Sequence, residues 1–179
     1  MTGPDLLTSL GKLLGSKIQN KKEFRDETTF TLLLGDLREV ARFCRDELSF
    51  EYLLDITSVD NFGEHPRFEI VYELYSMTLA VHLRLKVAVS EEKDEVPTVS
   101  DIWPTANWHE REVFDMMGLK FTGHPDLRRI LMWDGFKDHP MRKDYVEPDD
   151  YEYEPTAHDH VLARAQAHRA AEVAREQGL

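Results

Sequence analysis

Between Phe68 and Val89 apolar residues recur at every second position. Phe68, Ile70, Tyr72 and Leu74 form one series, and Leu79, Val81, Leu83, Leu85, Val87 and Val89 the next. A period of two puts all of them on one face of extended chain. The two runs are joined only by a few residues near Ser76-Met77, so they must pair as an antiparallel hairpin. A hairpin with one apolar face needs a cover, and helices on that face are the economical solution. The flanking chain supplies candidates. Thr28 to Leu34 reads as a strand stopped by Gly35, and Phe50 to Val59 as another before the Asn61-Phe62-Gly63 turn. Leu6, Leu7, Leu10, Leu13 and Leu14 share one helical face. Leu37, Val40, Ala41, Cys44 and Leu48 share another, in a helix opened by Asp36 with Glu39 as capping-box partner. The order α-β-α-β-β-β predicts an α+β two-layer sandwich: a mixed or antiparallel sheet of about four strands with helices on one face.

Charge divides the chain into three parts. Residues 1–104 form the acidic α+β body. Residues 105–146 carry almost no net charge. Residues 147–179 form an acidic linker followed by a C-terminal helix. The whole has 22 basic and 34 acidic residues, a net of −12. That balance argues against binding a nucleic-acid backbone. Cys44 is the sole cysteine, so the chain cannot close a disulfide on itself, hold a cluster by four thiolates or build a Cys-rich zinc site. Its place in an apolar stripe reads as core. No signal peptide is read at Met1–Asp5, and no apolar run has the length of a membrane span. The glycines form neither a dinucleotide fingerprint nor a phosphate loop.

Residues 105–146 carry the most information. A helix is expected from Thr105 to Met117, with Gly118 as its left-handed C-terminal residue. Arg111 and Asp115, four apart, are expected to face each other on it. Three turn signals follow, at Gly123-His124-Pro125-Asp126, Asp134-Gly135 and His139-Pro140. Six aromatics, Trp108, Phe114, Phe121, Trp133, Phe136 and Tyr145, lie in this little-structured stretch, which therefore wants a surface to lie on. His109, Glu110, Glu112, Asp115, His124, Asp126 and His139 invite a metal-dependent hydrolytic reading, but they lack the spacing that puts two imidazoles on one helical face. The plainer reading is an ion-paired scaffold, in which Arg111, Arg128, Arg129 and Arg142 take carboxylates in bidentate pairs.

The same stretch resembles a known family. Glu110-Arg111-Glu112, Phe114-Asp115-Met116, Gly118, Phe121, the run Gly123 to Leu131, and His139-Pro140 with Arg142-Lys143-Asp144-Tyr145 look like the C subunit of the respiratory NADH–quinone oxidoreductase, complex I. Upstream, Leu54 to Asp60 and Arg67 to Tyr72 look like the body of that family. The resemblance covers about residues 25–146. Asp138, Met141 and Val146 stand where the family usually has Gly, Leu and Pro.

The resemblance implies a hydrophilic-arm component without a cofactor of its own, FMN and iron–sulfur clusters being held by its partners. It implies as partners the D and B subunits, which form the quinone site, and the ferredoxin-like I subunit. It places the chain peripherally, on the cytoplasmic side of a bacterial inner membrane. The expected partner interface is Trp108, Glu110, Arg111, Glu112, Asp115, His124, Asp126, Arg128, Arg129, His139, Arg142, Lys143 and Asp144, with no catalytic residue. The equivalent component of a membrane-bound hydrogenase is the alternative. The acidic run Glu147, Asp149, Asp150, Glu152 and Glu154 is expected to cross a basic surface of a neighbour, and a helix over Thr156 to Gln177 to dock beyond it. His158 and His160 read as solvated surface residues.

Overall fold

The computed structural model describes residues 14–25, 27–93 and 95–146. The helix expected around Leu6 to Leu14 and everything expected of residues 147–179 lie outside them, apart from Leu14 itself, which is buried. The elements run β1 (Ile18–Phe24), β2 (Glu27–Leu32), α1 (Leu37–Asp46), β3 (Tyr52–Asp60), β4 (Phe68–Ser76), β5 (Val81–Val89), β6 (Glu95–Pro97), α2 (Ala106–Met117) and β7 (Lys120–Thr122).

The predicted hairpin is the centre of the sheet. β4 and β5 pair antiparallel from Phe68↔Val89 to Ser76↔Val81, with the turn at residues 77–80. Leu79 therefore belongs to the turn and not to the strand. The sheet has five strands in the order β1-β2-β5-β4-β3. β2 runs parallel to β5 and every other neighbour is antiparallel, so the sheet is mixed. The strand missing from the sequence reading is β1. Six of its seven residues are exposed, so it has no apolar alternation to detect. It is held by backbone pairing with β2 at a sheet edge, where Lys21 and Lys22 discourage further strand addition. A second, two-stranded sheet pairs β6 with β7 in parallel.

The two faces of the main sheet differ as the alternation requires. Phe30, Leu32, Ile56, Phe68, Ile70, Tyr72, Leu74, Leu83, Leu85 and Val87 belong to one buried cluster with Leu37, Val40, Ala41 and Cys44 of α1 and Val113, Met116 and Met117 of α2. Burial pushes the Cys44 thiol up to about 12, so it is an inert core residue. The opposite face carries charge pairs instead: Arg84 with Glu73 and Glu27, and Lys86 with Glu69 at 2.6 Å. Both described helices, α1 and α2, pack on the apolar face.

One local expectation fails. Asp36 occupies the N-cap of α1, but its side chain makes no capping bond. A 3-10 turn over Leu34–Asp36 leads straight into the helix and leaves Asp36 in a helical conformation rather than the extended one a cap needs. Glu39 is drawn to Lys17 instead.

Gly118 ends α2 with φ +76°. A Cβ there would come within 2.5 Å of the His139 ring and 2.7 Å of Arg142. Gly118→Ala should therefore combine left-handed strain with overpacking and cost about 2–4 kcal/mol of stability. Urea unfolding of the full chain measures it.

Candidate partner interface

Seven of the twelve residues of α2 are buried, and three of those, Glu110, Arg111 and Asp115, are charged. The helix thus carries ionic chemistry into the interior, which requires partners for each group. The Asp115 carboxylate is the most heavily bonded. One oxygen accepts three consecutive backbone N–H groups, from Ile130 at 2.9 Å, Leu131 at 2.7 Å and Met132 at 3.0 Å. The other takes Arg129 at 2.7 Å. Burial alone would raise its titration, but the three N–H groups and the Arg129 guanidinium outweigh that and hold it below its ordinary value.

The expected Arg111–Asp115 pair across one helical turn is thereby replaced. Arg111 turns elsewhere: its Nε donates to the Arg128 carbonyl at 3.2 Å, and its guanidinium lies 4.9 Å from the centre of the Trp108 ring. The long-range partner wins because the bend at residues 129–132 presents several donors together, whereas a neighbour on the helix offers one.

The same segment caps the C-terminal carbonyls of α2. Asp115 O accepts His139 Nδ1–H at 2.9 Å and Arg129 at 3.3 Å. Met116 O accepts the Met141 N–H at 3.2 Å, and Met117 O accepts Arg142 Nε at 2.6 Å. Two guanidinium groups therefore sit at the negative end of the helix dipole. They and burial keep His139 below its usual titration range, burial being the larger cause.

The far end of the segment is clasped by Arg67, which is 5% exposed. It forks onto Asp60 at 2.9 and 2.8 Å and onto Asp144 at 3.0 and 2.6 Å, and reaches Glu91 at 2.7 Å. The Lys143 N–H adds a bond to Asp60 at 2.8 Å. The Arg67 guanidinium also lies 4.9 Å from the ring centres of both Phe62 and Phe68.

The residues expected at the partner surface therefore divide. Glu110, Arg111, Asp115, Arg129, His139, Arg142 and Asp144 bond within the chain and shape the segment. Trp108, Glu112, Asp126, Arg128 and Lys143 present exposed surface, with Arg128 paired to Asp126 at 3.0 Å. The His124 side chain is buried: its Nδ1 accepts the Asp126 N–H and its Nε2–H donates to the Asn107 carbonyl. The His and acid residues that invited a hydrolytic reading come together at most in pairs, as Glu110 and His124 do at 3.9 Å. His109 faces Asp55 at 3.3 Å, and among the described residues no group of three or more His, Cys, Asp or Glu is placed to hold a metal ion.

Within residues 119–146 the most exposed apolar side chains, Leu131 at 60%, Met141 at 57% and Val146 at 82%, are absent from the expected set, as is Trp133 at 56%. Trp133 packs on Phe136 with ring centres 4.8 Å apart, and Phe136 on Tyr145 at 6.1 Å. Trp133 was visible as one of six aromatics. Leu131 and Met141 carried no signal, because an apolar residue in an aperiodic stretch is equally consistent with burial.

The arrangement defines a class: an α+β domain whose ionic interior holds an aperiodic, aromatic-rich segment in a fixed shape. The model of the family described as respiratory-chain NADH dehydrogenase, 30 kDa subunit, matches residues 32–162, and the chain belongs to that family. The NADH-quinone oxidoreductase C subunit of Geotalea uraniireducens is 44% identical over 136 residues, 76% of this chain and 83% of that protein. The C 2 subunit of the same oxidoreductase from Rhizobium meliloti is 44% identical over 149 residues, 81% of each. Among solved structures, a trypsin-resistant fragment of Nqo5 superposes with TM-score 0.62 at 30% identity, covering 68% of this chain and 98% of the fragment. A chain of a membrane-bound sulfane sulfur reductase, an archaeal respiratory membrane complex, superposes with TM-score 0.69 at 26% identity, covering 80% and 85%.

Asp115→Asn should leave Arg129 without its counter-charge and cost about 3–5 kcal/mol. Because Asp115 titrates low in the folded chain, the stability it contributes is present above its unfolded value of about 3.9 and lost as acid titrates through the lower folded value. The variant should therefore show a flatter stability profile below about pH 4 than the parent chain. Denaturant midpoints across that range provide the check.

Proposed function

We propose that this chain is a hydrophilic-arm component of an NADH–quinone oxidoreductase, without a redox group of its own, that joins neighbouring subunits through residues 119–146 and the exposed edge of α2. The observation that carries the reading is the contrast between rigid anchoring and exposed apolar surface. Asp115, Arg67 and the C-terminus of α2 hold the segment by charge-assisted bonds. The same segment exposes Leu131, Trp133, Met141 and Val146, which gain nothing from water. A pre-shaped surface with aromatic anchors and a charged rim is what a permanent interface requires.

The partners we assign are the D and B subunits, which form the quinone site, and the ferredoxin-like I subunit. The site of action is the cytoplasmic face of a bacterial inner membrane. Among the described residues no helix is long and apolar enough to cross a membrane, which suits a protein held there by its neighbours. FMN and iron–sulfur clusters belong to the partners in this reading. The likeness to a chain of the sulfane sulfur reductase supports a second reading, the same module in a related respiratory membrane complex.

Leu131→Asp and Met141→Asp test the interface. Both side chains are more than half exposed, so stability of the isolated chain should change by no more than about 0.5 kcal/mol. Affinity purification of the tagged variants from solubilised membranes should recover at least tenfold less of the partner subunits. Normal recovery, or normal assembly with reduced turnover per complex, would contradict the assignment. Peptide identification of the co-purified subunits separates the two readings.

A further inference from the structure

Glu110 is a second buried acid of α2, and its surroundings are unlike those of Asp115. Its side chain is fully buried. One carboxyl oxygen accepts the Val99 N–H at 2.7 Å, and the other is bonded to the Thr98 hydroxyl. Arg38, the cation of α1 that acts on it, is forked onto Asp101 at 2.9 and 2.8 Å, and the two charges act on Glu110 in opposite directions. His124 Nε2 lies 3.9 Å away. Its Nδ1 accepts the Asp126 N–H, which fixes the ring proton on Nε2, and Nε2 gives that proton to the Asn107 carbonyl. From β4, Tyr72 acts on Glu110 electrostatically, and its buried hydroxyl finds no hydrogen-bond partner among the described residues. Among the described residues, Glu110 is thus a buried carboxyl with two hydrogen bonds and no committed counter-charge.

The hydroxyl beside it leads outward. Thr98 Oγ1 lies 2.8 Å from Ser100 Oγ and accepts the Ser100 N–H at 3.1 Å. Ser100 is half-exposed. Two hydroxyls therefore join the buried carboxyl to solvent. Each can donate one proton and accept another, so the row can run in either direction.

We propose that Glu110 is a proton-binding site of this protein, loaded from solvent through the hydroxyls of Ser100 and Thr98. When Glu110 is ionised, Ser100 donates to Thr98 and Thr98 donates to the carboxylate. On loading, Thr98 passes its proton to Glu110, takes one from Ser100, and Ser100 takes one from water. The carboxylic acid then donates to Thr98, and the row is reversed. One proton leaves solvent, one O–H bond forms on Glu110, and no other group changes charge. The proposal does not depend on which complex the chain joins.

Burial pushes the Glu110 carboxyl up to about 7, against the lowering effect of the Thr98 and Val99 bonds; Asp101 adds to the rise and Arg38 opposes it. A folded value above the ordinary 4.5 means that the neutral acid favours folding. That contribution is complete below about 4.5 and is lost as pH rises through about 7.

Carbon NMR of the full chain with labelled Glu carboxyls, titrated from about pH 4 to about pH 9, tests the site. One Glu resonance should titrate near neutrality and be missing in Glu110→Gln. Thr98→Val removes a hydrogen bond to the charged form and should raise that midpoint by about one unit. Among the described residues Thr98 bonds no other carboxyl, so the shift identifies Glu110 even where Glu110→Gln does not fold. Ser100→Ala should leave the midpoint in place and broaden the resonance at mid-titration, because exchange with solvent slows. The site is overturned if every Glu carboxyl titrates in the ordinary acid range, or if the near-neutral step survives in Glu110→Gln. The hydroxyl route is overturned by an unmoved midpoint in Thr98→Val or an unchanged line width in Ser100→Ala.

Discussion

The Asp115 carboxylate is the point on which the shape of residues 129–142 depends. A carboxylate near the C-terminus of a helix sits at the unfavourable end of the dipole. It is tolerated because three backbone N–H groups and Arg129 converge on it. Those donors come from a stretch without regular structure, whose backbone groups have few partners of their own. Each side thus satisfies what the other leaves open. The bend at 130–132 places Arg129, and the following residues bring His139, Met141 and Arg142 onto the last carbonyls of α2.

Arg67 does the equivalent work at the other end. It lies just before β4, seven residues beyond Asp60 at the end of β3, and it joins both strands to Asp144. The sheet and the aperiodic segment are therefore one mechanical unit across residues far apart in sequence. That is the physical link between the upstream stretches that resemble the family, Leu54 to Asp60 and Arg67 to Tyr72, and the signature from Glu110 to Tyr145. The outward apolar side chains of the segment are presented on a backbone that is already ordered, which lowers the entropy lost on docking.

Two acids on one helix show how far environment decides chemistry. Asp115 and Glu110 are both buried on α2. Asp115 has a guanidinium and three backbone donors, so it stays ionised. Glu110 has one backbone donor, a hydroxyl and no committed cation, so burial dominates and its proton is held into the neutral range. The first is a structural charge and the second a titrating group, although both are charged residues on the same short helix.

Sequence alone determined the parts that rest on local periodicity and local chain stiffness. The β4–β5 hairpin, the buried stripe of α1 and the Gly118 end of α2 were all legible, because neighbouring residues set them. The family was legible through a long run of specific residue types. Edge strand β1 was not, since pairing across a sheet leaves no apolar mark on a chain exposed on both faces. Nor was the choice of Arg129 over Arg111 for Asp115, or of Arg67 for Asp144. Charges of opposite sign were abundant in the sequence, and only the folded chain decides which pairs are brought within bonding distance. Tertiary structure also decided that many expected surface charges turn inward while Leu131 and Met141 turn out. Burial is a property of where the backbone runs, and between residues 123 and 146 no periodic signal says where that is.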